Sequence, residues 1–342
     1  MDPHGSQTKV SSYAGSLQEL VGRVHSANRI LLLTHVFPDG DAVGSLLALG
    51  HALRDLGKKV YAVLPGGVPA AFGFLPGAGS LVSVVPPEES EIDLAIVLDA
   101  PDIARTGFDP LLKVLASSGR LGFVDHHARG DLVRLAASGV HRMDAAATTE
   151  ILADVIPALG ARITPGIATC LLTGLYTDTG GFQYANTGTA TLDLASDLMR
   201  RGGRLRQIVQ EVGHHKSVAT LKLLGIALER LRVTMDGRCS VSLITHEDLV
   251  RCGAGSEDLA GIIGEMNVLH DPALVLLLIE TAPGEIRGSL RTPDGKQTPV
   301  GQLAKLLGGG GHPRAAGFNA TGFFAENKDG SWKILAESPA KR

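Results

Sequence analysis

Three groups of titratable residues stand out by type and spacing. His35, Asp39 and Asp41 share one short stretch, His-Val-Phe-Pro-Asp-Gly-Asp. Asp99 directly follows Ile-Asp-Leu-Ala-Ile-Val-Leu. Asp125, His126 and His127 are consecutive and follow Arg-Leu-Gly-Phe-Val. A fourth candidate, Asp178, lies in Tyr-Thr-Asp-Thr-Gly-Gly, where small neighbours allow close approach to a cation. A helix cap and a surface turn would explain the first group alone. They do not explain why Asp and His recur at the ends of separate apolar runs. The carboxylates Asp39, Asp41, Asp99 and Asp178, with at least two imidazoles, exceed what one ion needs. Oxygen-rich shells with some histidine suit Mn²⁺ or Mg²⁺. Two such ions, about 3.5–4 Å apart and bridged by a shared carboxylate, serve in-line displacement at phosphorus. The chemistry expected is phosphoester hydrolysis.

The elements that must position these residues are legible. Ile30–Leu33, Lys58–Leu64, Ile92–Leu98 and Arg120–Val124 read as strands. Residues 42–56, Leu111–Ser117, Thr148–Leu159 and Gly166–Tyr176 read as helices. Strands alternating with helices predict an α/β fold with a parallel sheet. Ligands bind such sheets at the carboxyl ends of the strands. By that rule the three groups converge on one edge.

Residues 188–232 carry helical apolar spacing, from Leu192 to Leu231, and read as a helical linker. Beyond Val233 the pattern changes to hairpins and short helices, a smaller mixed α+β domain. The expected division is 15–187 for the catalytic metal-binding domain, 188–232 for the linker and 233–325 for a substrate-binding domain. Residues 326–342 show no packing pattern and are expected to be a disordered tail. Residues 1–12 read as a tag or frayed start.

The second domain holds Gly308 to Gly311, then His312, Pro313 and Arg314. Consecutive glycines expose amides that cradle phosphate, and His312 and Arg314 add charge-assisted hydrogen bonds. Arg287 and Arg291 lie on a nearby predicted strand, Arg287 on its solvated face. The pair His214-His215 reads as surface. His25, His51, His141, His246 and His270 have no partner at metal spacing.

Composition narrows the class. The chain of 342 residues has net charge −3, 44% hydrophobic, 20% charged and 4% aromatic residues. That gives no electrostatic case for long duplex nucleic acid, nor an extended stacking platform for single strands. Cys170, Cys239 and Cys252 form no disulfide framework and favour a reducing, cytoplasmic setting. No apolar run approaches the roughly 20 residues of a membrane span, and no signal peptide is visible.

The motifs together resemble a known family. His-Val-Phe-Pro-Asp-Gly-Asp-Ala-Val-Gly-Ser, Val-Leu-Asp-Ala at 97–100, Val-Asp-His-His at 124–127 and Tyr-Thr-Asp-Thr-Gly-Gly-Phe at 176–182 are similar to the four motifs of the DHH phosphoesterases. Gly-Ser-Leu-Arg at 288–291 and Gly-Gly-Gly-His-Pro-Arg-Ala-Ala-Gly-Phe at 309–318 resemble the DHH-associated C-terminal domain. Order and spacing over about residues 15–320 resemble the stand-alone nanoRNase type, the oligoribonuclease and pAp phosphatase.

The resemblance implies two Mn²⁺ (or Mg²⁺), one held by His35, Asp39 and Asp99, the other by Asp41, Asp99, His126 and Asp178. Asp99 then bridges, and His127 orients or polarises the scissile phosphate. Arg291, Gly309, Gly310, Gly311, His312 and Arg314 grip the far end of the substrate, with the cleft between the domains. The expected substrates are very short RNAs, linear dinucleotides and pAp; membranes and long duplexes are excluded, and a homodimer is left open. The rivals are a cyclic dinucleotide phosphodiesterase, a RecJ-like single-strand exonuclease, a manganese pyrophosphatase and a non-catalytic nucleotide sensor.

The chain departs from the family pattern in three places. Phe37 stands where the family often has Asn or a similar polar residue. Gln183 stands where an Arg commonly follows the Phe. The segment after Phe318 lacks the usual closing helix.

Overall fold

The structure is a computed structural model. It describes residues 4–336 apart from 80–81, 84–87, 214–216, 235–236, 260–261, 267–271, 294–295, 297, 313 and 330, and of residues 4–12 and 312, among others, it describes the backbone only. His214, His215, His270 and Pro313 therefore lie outside the described residues. The chain divides into two compact units after residue 215.

In the first unit the apolar runs become strands β1 (Arg29–Leu33), β2 (Lys59–Val63), β3 (Val82–Ser83), β4 (Leu94–Leu98), β5 (Leu121–Asp125) and β6 (Ser138–His141). They form one sheet in the order β3-β2-β1-β4-β5-β6, and every pairing is parallel. Every residue of β4 and β5 is buried. Strands covered on both faces must be apolar throughout, so they read as unbroken hydrophobic runs rather than alternating ones. The strand period of two splits their side chains between two cores. Ile30, Leu32, Leu94, Ile96 and Leu98 feed one, Leu31, Leu33, Ala95 and Val97 the other.

Helices α1 (His4–Ser26), α2 (Gly40–Asp55), α5 (Thr148–Ala158) and α6 (Pro165–Asp178) cover the first face. Helices α3 (Asp109–Ser117) and α4 (Leu132–Leu135) cover the second. The expectation for the N-terminus is corrected here: α1 starts at His4, so most of residues 1–12 continue a helix rather than fray.

The linker expected at 188–232 is not a separate body. Helices α7 (Thr189–Arg200) and α8 (Leu205–Gly213) bury Leu198 and Ile208 in the first core. Helix α9 (Val218–Glu229) buries Leu223 and Ala227 in the core of the second unit. Apolar spacing shows that a helix has a buried face, but not which sheet covers it.

The second unit contains β7 (Arg232–Thr234), β8 (Cys239–Ile244), β9 (Leu274–Ala282), β10 (Glu285–Arg291), β11 (Gly310–His312) and β12 (Ala315–Thr321). Their order is β11-β12-β10-β9-β8-β7; β8 and β9 run parallel, the other pairs antiparallel. With α9, α10 (His246–Cys252), α11 (Ile262–Met266) and α12 (Val300–Leu306), this is the mixed α+β domain expected.

The tail expectation is also corrected. Strands β13 (Phe323–Glu326) and β14 (Trp332–Leu335) pair as a hairpin. Trp332 packs against the small core of Leu243, Ile286 and Phe324, and the Arg230 guanidinium lies 4.8 Å from its ring centroid. One large aromatic with a cationic cover anchors a segment that lacks periodic apolar spacing.

Candidate metal centre

The strand order 3-2-1-4-5-6 reverses between β1 and β4, the point where such sheets open a crevice at their carboxyl ends. β1 runs into His35, β4 into Asp99 and β5 through Asp125 into His126 and His127. Because β4 pairs with both β1 and β5, the three strand ends lie side by side.

Each imidazole is aimed through its other ring nitrogen. His35 Nδ1 lies 2.9 Å from the Val36 carbonyl. His126 Nδ1 lies 3.3 Å from the Ala145 carbonyl. His127 Nδ1 lies 2.8 Å from Asp125 Oδ1. An Nδ1–H donated to an oxygen leaves Nε2 as the coordinating atom and fixes the ring plane.

Asp99 is the hub. It is 1% exposed. Its Oδ2 is 3.6 Å from His35 Nε2, whereas its Oδ1 is 3.6 Å from His126 Nε2 and 3.6 Å from His127 Nδ1. The two oxygens of one carboxylate thus face imidazoles from two different strands. Its backbone has φ 56°, a left-handed conformation that costs a non-glycine residue of order 1–3 kcal/mol and is held by its surroundings. Part of that hold is the Asp99 amide, which donates to Val124 O at 3.0 Å.

Asp39 caps α2: its Oδ1 accepts from the amides of Asp41 and Ala42, each at 3.0 Å. Asp41, wholly buried, accepts from the amides of Thr148 at 2.6 Å and Thr149 at 3.0 Å, the first residues of α5. Amides at a helix start favour an anion there. From the other side α6 approaches so closely that a Cβ on Gly174 would sit 2.4 Å from Asp41 Oδ1, so only glycine fits. Asp178, on the last turn of α6, places Oδ2 3.2 Å from His126 Nε2.

Electrostatics show what the cluster lacks. Burial, then the facing carboxylates of Asp41, Asp39, Asp178 and Asp125, hold the Asp99 carboxyl well above its ordinary range. Burial and then Asp41 push Asp178 up to about 7, against the opposing pull of His126. Burial draws His126 down, but Asp178, Asp41 and Asp125 outweigh it and raise the imidazole to about 9. Burial raises Asp125, and the hydrogen bond and charge of His127 more than offset it. Such a set draws in positive charge. His126 Nε2 is buried without a well-formed hydrogen bond, as a ligand atom aimed at a cation is.

The donor atoms fit that role. Among the described residues, three sets have ligand atoms within 4.8 Å of one another: His35, Asp39 and Asp99; Asp41, His126 and Asp178; and Asp99, His126 and His127. The first has the members the resemblance implies for one cation; the second has three of the four implied for the other, and Asp99, the fourth, joins His126 in the third set.

Sequence reasoning missed several supporting residues. Thr148 donates its hydroxyl to Asp99 Oδ1 at 3.0 Å. Asn186 Nδ2 ties Ala146 O to Asp178 O, each at 3.1 Å. His141 Nε2 lies 2.7 Å from the His127 carbonyl and braces the main chain that carries the His127 imidazole. The only available signal was Thr148-Thr149 opening a predicted helix after three alanines.

In the second unit, Arg291, Ala315 and His312 share one backbone row across β10, β12 and β11, which brings the chain positions of Arg291, His312 and Arg314 to one end of the sheet. Arg314 Nη2 donates to Pro293 O at 3.0 Å. The glycines differ from the simple phosphate cradle. Gly309 donates its amide to Ala304 O at 2.8 Å, and a Cβ on it would lie 2.1 Å from Gly317 O. Gly310 and Gly311 belong to β11 and pair with β12. Close strand packing accounts for glycine at 309 and 311. Arg287 is exposed, as expected for a solvated face.

Comparison with known proteins gives a consistent picture. The N-terminal domain of the DHH family matches residues 29–175, and the DHHA1 domain matches residues 249–337. The bifunctional oligoribonuclease and PAP phosphatase NrnA of Thermus thermophilus is 30% identical over 86% of this chain and 84% of its own. The protein of the same description from Mycoplasma genitalium is 28% identical over 89% of this chain and 92% of its own. The crystal structure of an exopolyphosphatase-related protein from Bacteroides fragilis superposes with a TM-score of 0.80 at 25% identity, covering 93% of each chain.

Proposed function

The chain belongs to the DHH family, and we propose that it is a manganese-dependent phosphodiesterase and phosphatase that cuts very short oligoribonucleotides and linear dinucleotides to mononucleotides and removes the 3′-phosphate of pAp. The observation that carries this reading is the placement of Asp99, whose two carboxylate oxygens face His35 on one side and His126 on the other. The names of the Thermus and Mycoplasma relatives supply the substrate class.

In this reading His35, Asp39 and Asp99 hold one divalent cation, and Asp41, Asp99, His126 and Asp178 the other. The cations, when bound, supply Lewis-acid polarisation of the phosphoryl oxygens. The protein's own groups do the positioning. Asp125 holds His127 Nδ1 and so sets the tautomer in which its other nitrogen meets the scissile phosphate. Thr148 and the start of α5 keep Asp99 and Asp41 oriented toward the cations. Arg291, His312 and Arg314 are assigned to the part of the substrate remote from the reacting phosphate, with Gly309 and Gly311 permitting the close strand packing beside them and Gly310 paired in β11. The net charge of −3 offers no long basic track, which favours ligands of a few nucleotides. The three unpaired cysteines support a reducing, cytoplasmic setting.

The test is turnover of one panel with Mn²⁺: pAp, linear and cyclic dinucleotides, RNA of increasing length, and pyrophosphate. The expected result is highest kcat/KM on linear dinucleotides and other very short RNAs, with measurable release of phosphate from pAp. A preference for long RNA, cyclic dinucleotides or pyrophosphate overturns the reading.

A further inference from the structure

Phe37 is 93% exposed, the most exposed of the chain's large hydrophobic side chains among the described residues. Single exposed apolar residues are common and usually mean nothing. Phe37 differs in two respects. It has φ 59°, a region that bulky side chains avoid, and it precedes Pro38, which further narrows the backbone toward extended conformations. It also lies two residues from His35 and two from Asp39, at the tip of the turn that carries both. Two residues of chain reach at most about 7 Å, so the ring is tethered beside the metal centre.

The turn is pinned at both ends. The Val36 amide donates to Arg105 O at 2.7 Å, and Asp39 caps α2. The surroundings therefore keep a bulky, pre-proline residue in a left-handed conformation, with its aromatic ring in solvent. In a chain with few aromatics, a large flat apolar surface held this way suits a flat apolar ligand.

We propose that Phe37 is a stacking platform for the nucleobase adjoining the scissile phosphate, so that the turn carrying two metal ligands also recognises the substrate. The inference rests on the nucleotide-hydrolase reading above. Stacking on an aromatic ring accepts any base, so the residue selects for a nucleobase without selecting its sequence.

The experiment compares the linear dinucleotide pApA with its two abasic counterparts, each lacking one adenine. It uses the wild-type protein, Phe37→Asn and Phe37→Trp. Asparagine removes the ring yet tolerates the left-handed backbone, so the turn is preserved; tryptophan keeps an aromatic face. The wild type is expected to prefer pApA over at least one abasic form by about five- to a hundred-fold in kcat/KM, the range that base stacking provides. Phe37→Asn should lose most of that preference, and Phe37→Trp should keep it. Manganese affinity, measured by calorimetry, should be the same in all three proteins. An unchanged preference in Phe37→Asn overturns the proposal. So does a fall in manganese affinity that matches the loss of turnover, because the residue would then act by shaping the ligand turn. Affinity for the same three ligands in Ca²⁺ is measured in parallel. If wild type does not hydrolyse pApA, the phosphodiesterase reading fails, and the binding preference still decides the role of Phe37.

Discussion

Thr148 Oγ1 donates to Asp99 Oδ1 across 3.0 Å, while the amide of the same residue donates to Asp41 Oδ2 across 2.6 Å. One residue at the start of α5 thereby orients both the carboxylate assigned to bridge the two cations and one assigned to the second cation alone. Thr148→Val keeps the shape and the amide contact and removes only the hydroxyl. Loss of such a supporting hydrogen bond weakens metal affinity by about ten- to a hundred-fold. Calorimetric titration with Mn²⁺ should show a loss in that range, with the fold intact by circular dichroism. Unchanged affinity would show that Asp99 is positioned by its backbone and packing alone.

Asp99 itself offers a test in which activity and stability move in opposite directions. Asp99→Asn is preferred to alanine because asparagine tolerates φ near +56°. It removes the shared carboxylate, so hydrolysis should fall by more than the roughly hundred-fold that a supporting residue costs. It also removes a buried carboxyl that, facing those of Asp41, Asp39 and Asp178, costs the fold stability whether it keeps its charge or takes up a proton. The metal-free variant should therefore melt at a higher temperature than the metal-free wild type. Near-normal turnover would sink the bridging role.

These two residues illustrate what the sequence made legible. Asp99 was visible because a fully buried strand is apolar end to end, so the first carboxylate after it is conspicuous. The same held for His35 and for Asp125, His126 and His127, and the parallel sheet then placed them together. Thr148 was not visible. A threonine at a helix start reads as local capping, and its partners lie 49 and 107 residues away. β6 escaped because Ser-Gly-Val-His carries no apolar run. The allegiance of α9 and the anchoring of β14 by Trp332 escaped because both depend on which surface covers them, and local periodicity does not encode that. The glycines of 308–311 read as a phosphate cradle because consecutive glycines expose amides, whereas the structure uses Gly309 and Gly311 to let strands approach.

Arg314 tests the role assigned to the second unit. Arg314→Ala should lower kcat/KM for pApA and pAp by about ten-fold or more, since a charge-assisted contact to phosphate is roughly twice as strong as a neutral one. A small aryl phosphodiester, which has no remote phosphate to grip, should be turned over within about two-fold of the wild-type rate by the same argument. Equal losses on all three substrates would mean that Arg314 supports the fold through its bond to Pro293 O, not the substrate.

The charge balance of the centre predicts how the metal-free protein responds to pH. Asp178 has its pKa raised from 3.8 to about 7, so the folded state holds a proton that the unfolded chain has released. Stability from this group falls as pH rises from about 4 to about 7. His126 is raised from 6.5 to about 9. Its contribution is full below 6.5 and is lost as pH rises through about 9. Both act in the same direction, and Asp93, lowered to about 2, adds no slope above pH 5. The melting temperature of chelator-treated protein should therefore decline between pH 5 and pH 9. A divalent cation supplies the missing positive charge and displaces these protons. Added Mn²⁺ should raise the melting temperature more at pH 8 than at pH 6, and calorimetry at pH 8 in buffers of different ionisation enthalpy should report proton release on binding. A metal-free melting temperature that rises steadily across this window would show that the carboxylates are not held against one another as the geometry places them.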